Sequence, residues 1–361
     1  MKQITFLCLL FALTGTLTAQ EKHFTVLGKV VDSATGQPLA GASAYCQNTT
    51  HGAVTNAEGV FTLRLPGGGY DLVLSYTGYG KKLLRISSSQ PAMDTLPIEL
   101  VKQEASLEEV AVVASTEVPN GLEKYGAFFL RHFIGTTPNA AECTLTNPEA
   151  LHFFYTKKRN RLKVTAKEDL LISNQALGYT IRYQLDSFSY DYNTNISQYT
   201  GFPFFIETDS TEEMTAAWKR NRARTYLGSR LHFMRALYDS TVTDEGFQVE
   251  KLNDEDLKDV KGTLIPDLYD STLYLADSND VTIGWSGRYR ISYRKVYPDK
   301  NFLKEFKLPA DSKTQITLLN VTDGFVIEQN GYFYEQYDVI NTGYWAWKKL
   351  AELLPYNYEY E

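Results

Sequence analysis

Five residues fall close together at helical spacing, and their types suit the capture of an anion: Arg220, Arg224, Tyr226, His232 and Arg235. A guanidinium stays charged at any physiological pH and offers a planar fork of donors that matches a carboxylate or phosphate. Arg220 and Arg224 lie one helical turn apart and so share a face, while Arg222 and Arg230 fall on other faces. Tyr226, His232 and Arg235 can line a pocket with them. These five are the candidate ligand-binding residues. The competing reading is a solvated helix face whose Arg stems cover sheet edges.

No other stretch assembles a bond-breaking constellation. None of the five histidines (His23, His51, His132, His152, His232) begins the H-x-x-E or H-E-x-x-H spacing of catalytic zinc sites. Four of them precede Phe, which reads as packed strand or helix positions. Gly284-Trp285-Ser286-Gly287 lacks the spacing of a serine-nucleophile elbow and reads as a β-turn, and Gly228-Ser229 falls inside a helix. Cys143 has no informative context for a nucleophile. Asp254-Glu255-Asp256 and the acids between Asp267 and Asp280 do not follow a calcium loop and read as a solvated acidic loop. A glycosidase pair, usually far apart in sequence, stays open. The expectation is no catalytic residue, no metal and no cofactor.

The 361 residues are enough for two cores. With 43% hydrophobic and 22% charged residues the chain is too apolar for disorder. A net charge of −7 argues against nucleic acid, which needs a basic face. The 25 Tyr and 19 Phe lean the chain toward strands. At the start, Lys2 precedes an apolar run over residues 4–13 that is too short to span a bilayer, and Ala19-Gln20 suits cleavage. Residues 1–19 therefore read as a signal peptide, and no later stretch is long and apolar enough for a membrane helix. The expected location is outside the inner membrane, in the periplasm or at the outer-membrane surface. Removing the signal leaves Cys46 and Cys143, open either to one disulfide or to two buried thiols.

The elements that must position these side chains divide in two. Residues 24–101 read as about seven short strands separated by turn residues such as Thr35-Gly36-Gln37-Pro38, Asn56-Ala57-Glu58-Gly59 and Gly67-Gly68-Gly69. Residues 102–118 form a linker with a strand over 107–114, and residues 119–361 form an α+β domain. In it, the spacing predicts a helix over 121–133, a hairpin over 151–166, and strands over 177–185, 188–192 and 198–206. A helix from 210 to 238 opens on a capping box with Ser210 as cap and Glu213 reaching back, and Gly228 can bend it or admit a close neighbour. Strands follow over 281–285, 289–296, 314–319, 324–328 and 332–337, then a last helix over 345–353.

The pattern Asp32, Thr35-Gly36, Pro38-Leu39, Gly41-Ala42, Thr55, Gly59, Phe61, Gly69-Tyr70 and Gly78-Tyr79 resembles the carboxypeptidase-regulatory-like domain. The resemblance covers about a quarter of the chain. It implies a transthyretin-like β-sandwich in an exported protein of Gram-negative bacteria, of the kind found before the plug of TonB-dependent receptors. Residues 105–114 also resemble the strand leading to such a plug. No plug or barrel pattern follows, so the receptor's transport function is not carried over. The second half, through Trp218, Arg222, the run 226–235, Gly343-Tyr344-Trp345 and Leu353-Leu354-Pro355, resembles a domain of unknown function that often follows this sandwich. The expected function is a non-enzymatic exported envelope protein whose sandwich binds or assembles with an outer-membrane or other envelope partner. The alternatives are a hydrolase of peptide or glycan with its site in the second domain, and a carbohydrate-binding module using exposed Tyr and Trp.

Overall fold

The computed structural model describes residues 23–90, 94–103, 117–253, 262–277 and 279–360. The expected signal peptide, the strand over 107–114 and the Asp254-Glu255-Asp256 loop lie outside the described residues. An N-terminal all-β region of seven strands is followed by a mixed α/β region.

The first region consists of β1 (His23–Asp32), β2 (Ser43–Cys46), β3 (Gly52–Val54), β4 (Val60–Pro66), β5 (Gly69–Ser75), β6 (Lys82–Ser87) and β7 (Leu96–Leu100). They form two sheets, ordered β4-β1-β7 and β3-β2-β5-β6. Strict alternation in β4 sends Phe61, Leu63 and Leu65 inward and Thr62 and Arg64 outward. Those three meet Val30, Leu72, Leu74 and Ile98 in the sandwich core. The turn residues form a connected set of bonds. Asp32 Oδ1 accepts the N–H groups of Ala34 and Thr35, and its Oδ2 accepts the Tyr79 hydroxyl at 2.6 Å. That hydroxyl, together with the two amides, holds the carboxyl down at about 2. Thr55 Oγ1 accepts from Ala42 N–H and donates to the Leu39 carbonyl. Gly59 has φ +72 and sits so close to Val30 O that a Cβ there would lie 2.5 Å away.

The second region opens with α1 (Gly121–Phe133) and α2 (Pro138–Ala141). Its first sheet contains β8 (Cys143–Leu145), β9 (Leu151–Thr156), β10 (Arg161–Ala166), β11 (Leu170–Asn174), β12 (Tyr179–Asp191) and β13 (Ile196–Glu207). β12 carries this sheet: β13 pairs along one edge, while β11 and β10 share the other. The two strands expected over 177–185 and 188–192 are this single strand, bent by an irregularity between Leu185 and Ser187. Helix α1 lays Phe129 and Phe133, both 0% exposed, against Phe153, Tyr183 and Phe188.

Next come α3 (Glu212–Tyr226) and α4 (Arg230–Tyr238). They correct the single helix expected over 210–238. Gly228 adopts φ +75, and a Cβ there would lie 2.5 Å from the Tyr293 ring. The chain turns sharply at this close approach, and Ser229 caps α4 by accepting from His232 N–H. The first cap is Thr211, which accepts from Met214 N–H, rather than Ser210.

The remaining elements are β14 (Phe247–Leu252), β15 (Gly262–Leu264), β16 (Tyr274–Ala276), β17 (Asp280–Ile283), β18 (Gly287–Tyr293), α5 (Lys300–Glu305), β19 (Gln315–Val321), β20 (Phe325–Glu328), β21 (Val339–Gly343) and α6 (Tyr344–Trp347). They build sheets ordered β15-β14-β18-β19-β21 and β16-β17-β20. Phe233, Met234 and Leu237 of α4 pack in one core with Trp285, Tyr289 and Ile291. The strand expected over 332–337 is a turn with one bridge, Ile327 to Phe333. The last helix shrinks to the four residues of α6 and a separate 3-10 turn at Leu350–Glu352. Cys46 and Cys143 are free thiols, Cys46 buried and Cys143 half-buried.

The two regions share a polar seam. Tyr45 and Val73 face away from the sandwich core yet are 2% and 0% exposed, and the Tyr45 ring packs on Phe204 of β13. Asn48 N–H donates to Pro203 O and Phe205 N–H to Thr49 O. The turn after β20 docks on the triple-glycine turn: Asn330 Nδ2 donates to Gly69 O, and a Cβ on Gly68 would lie 2.5 Å from Asn330. Glu328, 0% exposed, accepts from Ser87 Oγ and Tyr334 Oη, both at 2.6 Å, through Oε1. Its Oε2 is buried without a partner among the described residues.

Burial raises the Glu328 pKa above the usual 4.5, outweighing the bonds from Ser87 and Tyr334. The folded state then holds this proton more tightly than the unfolded chain. Its contribution is complete below the unfolded pKa and is lost as pH rises through the folded pKa. The melting temperature of the parent protein relative to Glu328→Gln is expected to fall as pH is raised from about 4 to about 7. A difference that stays flat across that range would show that Glu328 does not titrate in the seam.

Candidate functional site

Helix α3 is bound to the sheet by its polar side chains. Trp218 Nε1, Asn221 Nδ2 and Arg222 Nε donate in turn to the carbonyls of Gln175, Ala176 and Leu177, at 2.7, 2.9 and 2.7 Å. Arg222 also reaches Gly178 O and Glu207, and its guanidinium lies 3.9 Å from the Tyr179 ring centre. Gly178 has φ +68 and lies directly beneath Trp218, where a Cβ would come within 2.1 Å of the indole. The carbonyls of residues 175–178 thus all accept from side chains of one helix.

Tyr226, His232 and Arg235 come together in one stack. The Tyr226 and His232 ring centres are 4.7 Å apart. His232 Nδ1 accepts the Gly228 N–H at 3.1 Å, which places the ring proton on Nε2, 3.2 Å from Glu245 Oε2. Burial pushes the His232 pKa down, with Glu245 opposing it. Arg235 uses three nitrogens on three carbonyls: Nε to Asn330 at 3.2 Å, Nη1 to Tyr358 at 2.8 Å and Nη2 to Tyr356 at 2.9 Å. Tyr358 and Tyr360 close over the Tyr226 ring.

Arg220 and Arg224 are exposed and lie apart from that stack, each on its own cleft. Arg220 lines an open cleft of about 430 Å³ with Lys219 and Arg222, facing Glu207, Tyr358 and Glu359. Arg224 stands at a smaller cavity of about 120 Å³, where Thr225, Gln315, Lys348 and Glu352 converge. The five candidates therefore occupy three places. Helical spacing put Arg220 and Arg224 on one face, but the break at Gly228 turned α4 away from them. Gln315, Lys348 and Glu352 carry no sequence signal for a site, because they come from separate elements that only the fold brings together. Among the described residues no group of three or more His, Cys, Asp and Glu is arranged to hold a metal ion. Among the same residues no helix is long and apolar enough to cross a membrane.

Residues 26–112 match the family model of the CarboxypepD_reg-like domain, so an N-terminal domain of that type is present. No curated protein matches the chain. Among solved structures, catechol 1,2-dioxygenase from Pseudomonas arvilla C-1 is 13% identical with a TM-score of 0.20, over 25% of this chain and 55% of the dioxygenase. The TIE protein of Bacillus anthracis is 13% identical with a TM-score of 0.20, over 52% of this chain and 32% of that protein. A putative membrane-associated protein of unknown function from Bacteroides fragilis is 11% identical with a TM-score of 0.19, over 90% of this chain and 96% of that one.

Replacing Arg235 by Met keeps the apolar stem and removes two charge-assisted bonds to the C-terminal segment and one to Asn330. The expected loss is about 2–4 kcal/mol of stability in urea unfolding. Brief chymotrypsin treatment should then cut at Tyr356 and Tyr358 well before the parent protein is cut. Equal cleavage rates would mean that the aromatic contacts alone hold the segment.

Proposed function

We propose that this is a non-enzymatic, exported envelope protein that binds an envelope partner through its second region, with the sandwich as an assembly module fixed to it. The observation that carries the reading is that the side chains best suited to chemistry are bound to the chain itself. Arg222 and Arg235 donate to backbone carbonyls, and His232 is held between Gly228 N–H and Glu245. A hydrolase needs carboxylates facing its cleft in a reactive state. Of those near the smaller cavity, Asp299 caps α5 through Asn301 N–H and Glu352 accepts from Thr225. The presence of a CarboxypepD_reg-like domain supports the envelope assignment.

The partner surface in this reading is the exposed cationic side of α3, where Lys219 and Arg220 border the larger cleft. Such contacts are screened by salt beyond about 10 Å at 0.1 M. After cell fractionation, the processed chain is expected in the envelope fraction, with a share released by about 1 M salt. Arg220→Glu should move it toward the soluble fraction without lowering its melting temperature. An unprocessed cytoplasmic chain would defeat the envelope reading. Equal retention of Arg220→Glu would defeat the assigned surface.

A further inference from the structure

The β9–β10 turn carries three cations in a row, Lys157, Lys158 and Arg159, all of them exposed. Among the described residues none of the three side chains makes a hydrogen bond or an ion pair. The turn beneath them is braced. Asn160 adopts φ +47, and its N–H donates to Lys157 O at 3.1 Å. Its side chain accepts the Tyr155 hydroxyl at 2.6 Å and donates to Asn193 Oδ1 at 3.2 Å. Asn193 Nδ2 donates back to Arg159 O at 3.2 Å, and Tyr192 N–H donates to Asn160 O at 3.0 Å. The β9–β10 and β12–β13 turns are thus bonded into one tip. The one acid within residues 155–161 and 190–196 is Asp191, and it is already taken by Arg161 at 3.0 Å. The tip therefore keeps a local excess of positive charge on a chain whose net charge is −7.

The tip lies at the free end of its sheet. Lys81 of the sandwich reaches the long β12–β13 hairpin at Asp186, and the tip lies roughly 20 Å further along β12. Helix α3 is bound to the 175–178 turn, at the opposite end of that strand. Behind the cations, the rings of Tyr125, Tyr155 and Tyr192 are half-buried between α1 and the tip. Their centres follow one another at 6.4 and 6.1 Å. Ile196, just past the second turn, is 54% exposed. Tyrosine rings, an exposed aliphatic side chain and cations on long stems are the groups that settle at a boundary between lipid and water. The three cations spread over a protruding turn rather than round a pocket. That suits a layer of negative charge better than one anion or a matched set of carboxylates.

We infer that this tip docks the protein on an anionic lipid surface, with Lys157, Lys158 and Arg159 against the headgroup phosphates. Each Lys or Arg near such a surface strengthens binding about fivefold, so three give about a hundredfold over neutral lipid. The test sediments the purified mature chain with vesicles of equal parts phosphatidylglycerol and phosphatidylcholine, and with vesicles of phosphatidylcholine alone. At about 10 mM salt the parent protein is expected to follow the anionic vesicles and to stay in solution with the neutral ones, and about 1 M salt should release it. Lys158→Gln should weaken the binding about fivefold. The triple variant Lys157→Gln, Lys158→Gln, Arg159→Gln should fall about a hundredfold, to the neutral-vesicle level. These side chains make no bond among the described residues, so both variants should keep the parent's melting temperature. If the triple variant fails to fold, Lys158→Gln decides. Arg220→Glu, on the α3 surface, should sediment as the parent does. The inference is overturned if the parent ignores anionic vesicles, if the triple variant sediments like the parent, or if Arg220→Glu loses as much binding as the triple variant. Binding to poly-glutamate but not to the vesicles would overturn it as well, and would mark the tip as a site for an acidic protein. The envelope partner is tested separately by cell fractionation of Arg220→Glu, so either reading can fail alone.

Discussion

One guanidinium group ties the architecture together. Arg235 on α4 donates to carbonyls of Asn330, Tyr356 and Tyr358. Each of the two segments it gathers also grips the sandwich. Asn330 donates to Gly69 O, and Tyr356 N–H donates to Asn48 O at 2.7 Å. The second region's helix, the turn after β20 and the C-terminal segment are thus held in register by one planar donor set, and through them the seam. An ammonium could not make the same three bonds, since it lacks the flat spread of donors.

The seam itself depends on small residues. At Gly68, Gly69 and Gly52, a Cβ would approach Asn330, Glu328 and Phe204 to 2.5, 2.7 and 2.9 Å. A turn sequence that reads as flexible in isolation is in fact a fitted surface. The glycines let the backbone of β5 come within reach of side-chain amides and carboxyls. The seam is polar at the Gly67–Gly69 turn and aromatic at Tyr45 and Phe204, a mix that orients the two regions more closely than an apolar patch would.

Much of the fold is legible in the sequence where the signal is local. The sandwich strands follow from alternation and from turn residues that bond across the turns, as Asp32 does with Tyr79 and Thr55 with Ala42 and Leu39. Helix α1 and the β9–β10 hairpin also follow from local pattern. The errors fall where a distant neighbour decides. Residues 210–238 read as one helix with a bend or a close neighbour at Gly228; the close neighbour is there, the Tyr293 ring, and the helix breaks at it. Residues 345–353 read as one helix, but the Ala351 amide is taken up by Ile134 O and its carbonyl by Asn174 Nδ2. The candidate site was half legible for the same reason. Arg220 and Arg224 read as one face but border separate clefts, and Gln315, Lys348 and Glu352 are assembled only by tertiary structure.

The bond between Thr50 and Asn357 joins residues 307 positions apart, and the pair makes it in both directions. A chain delivered from its N-terminus presents the sandwich first, because all seven of its strands lie within residues 23–100. The seam has to wait, because Asn357 follows Thr50 by 307 positions. Until then Tyr45 and Val73, which the second region covers, remain as an uncovered apolar face on the β2–β5 side of the sandwich. The arrangement gives the finished molecule a closure step that a truncated chain lacks. Loss of Tyr356 and Asn357 would be felt far earlier in the chain, at Asn48 and Thr50, beside a sheet whose strands all lie before residue 100.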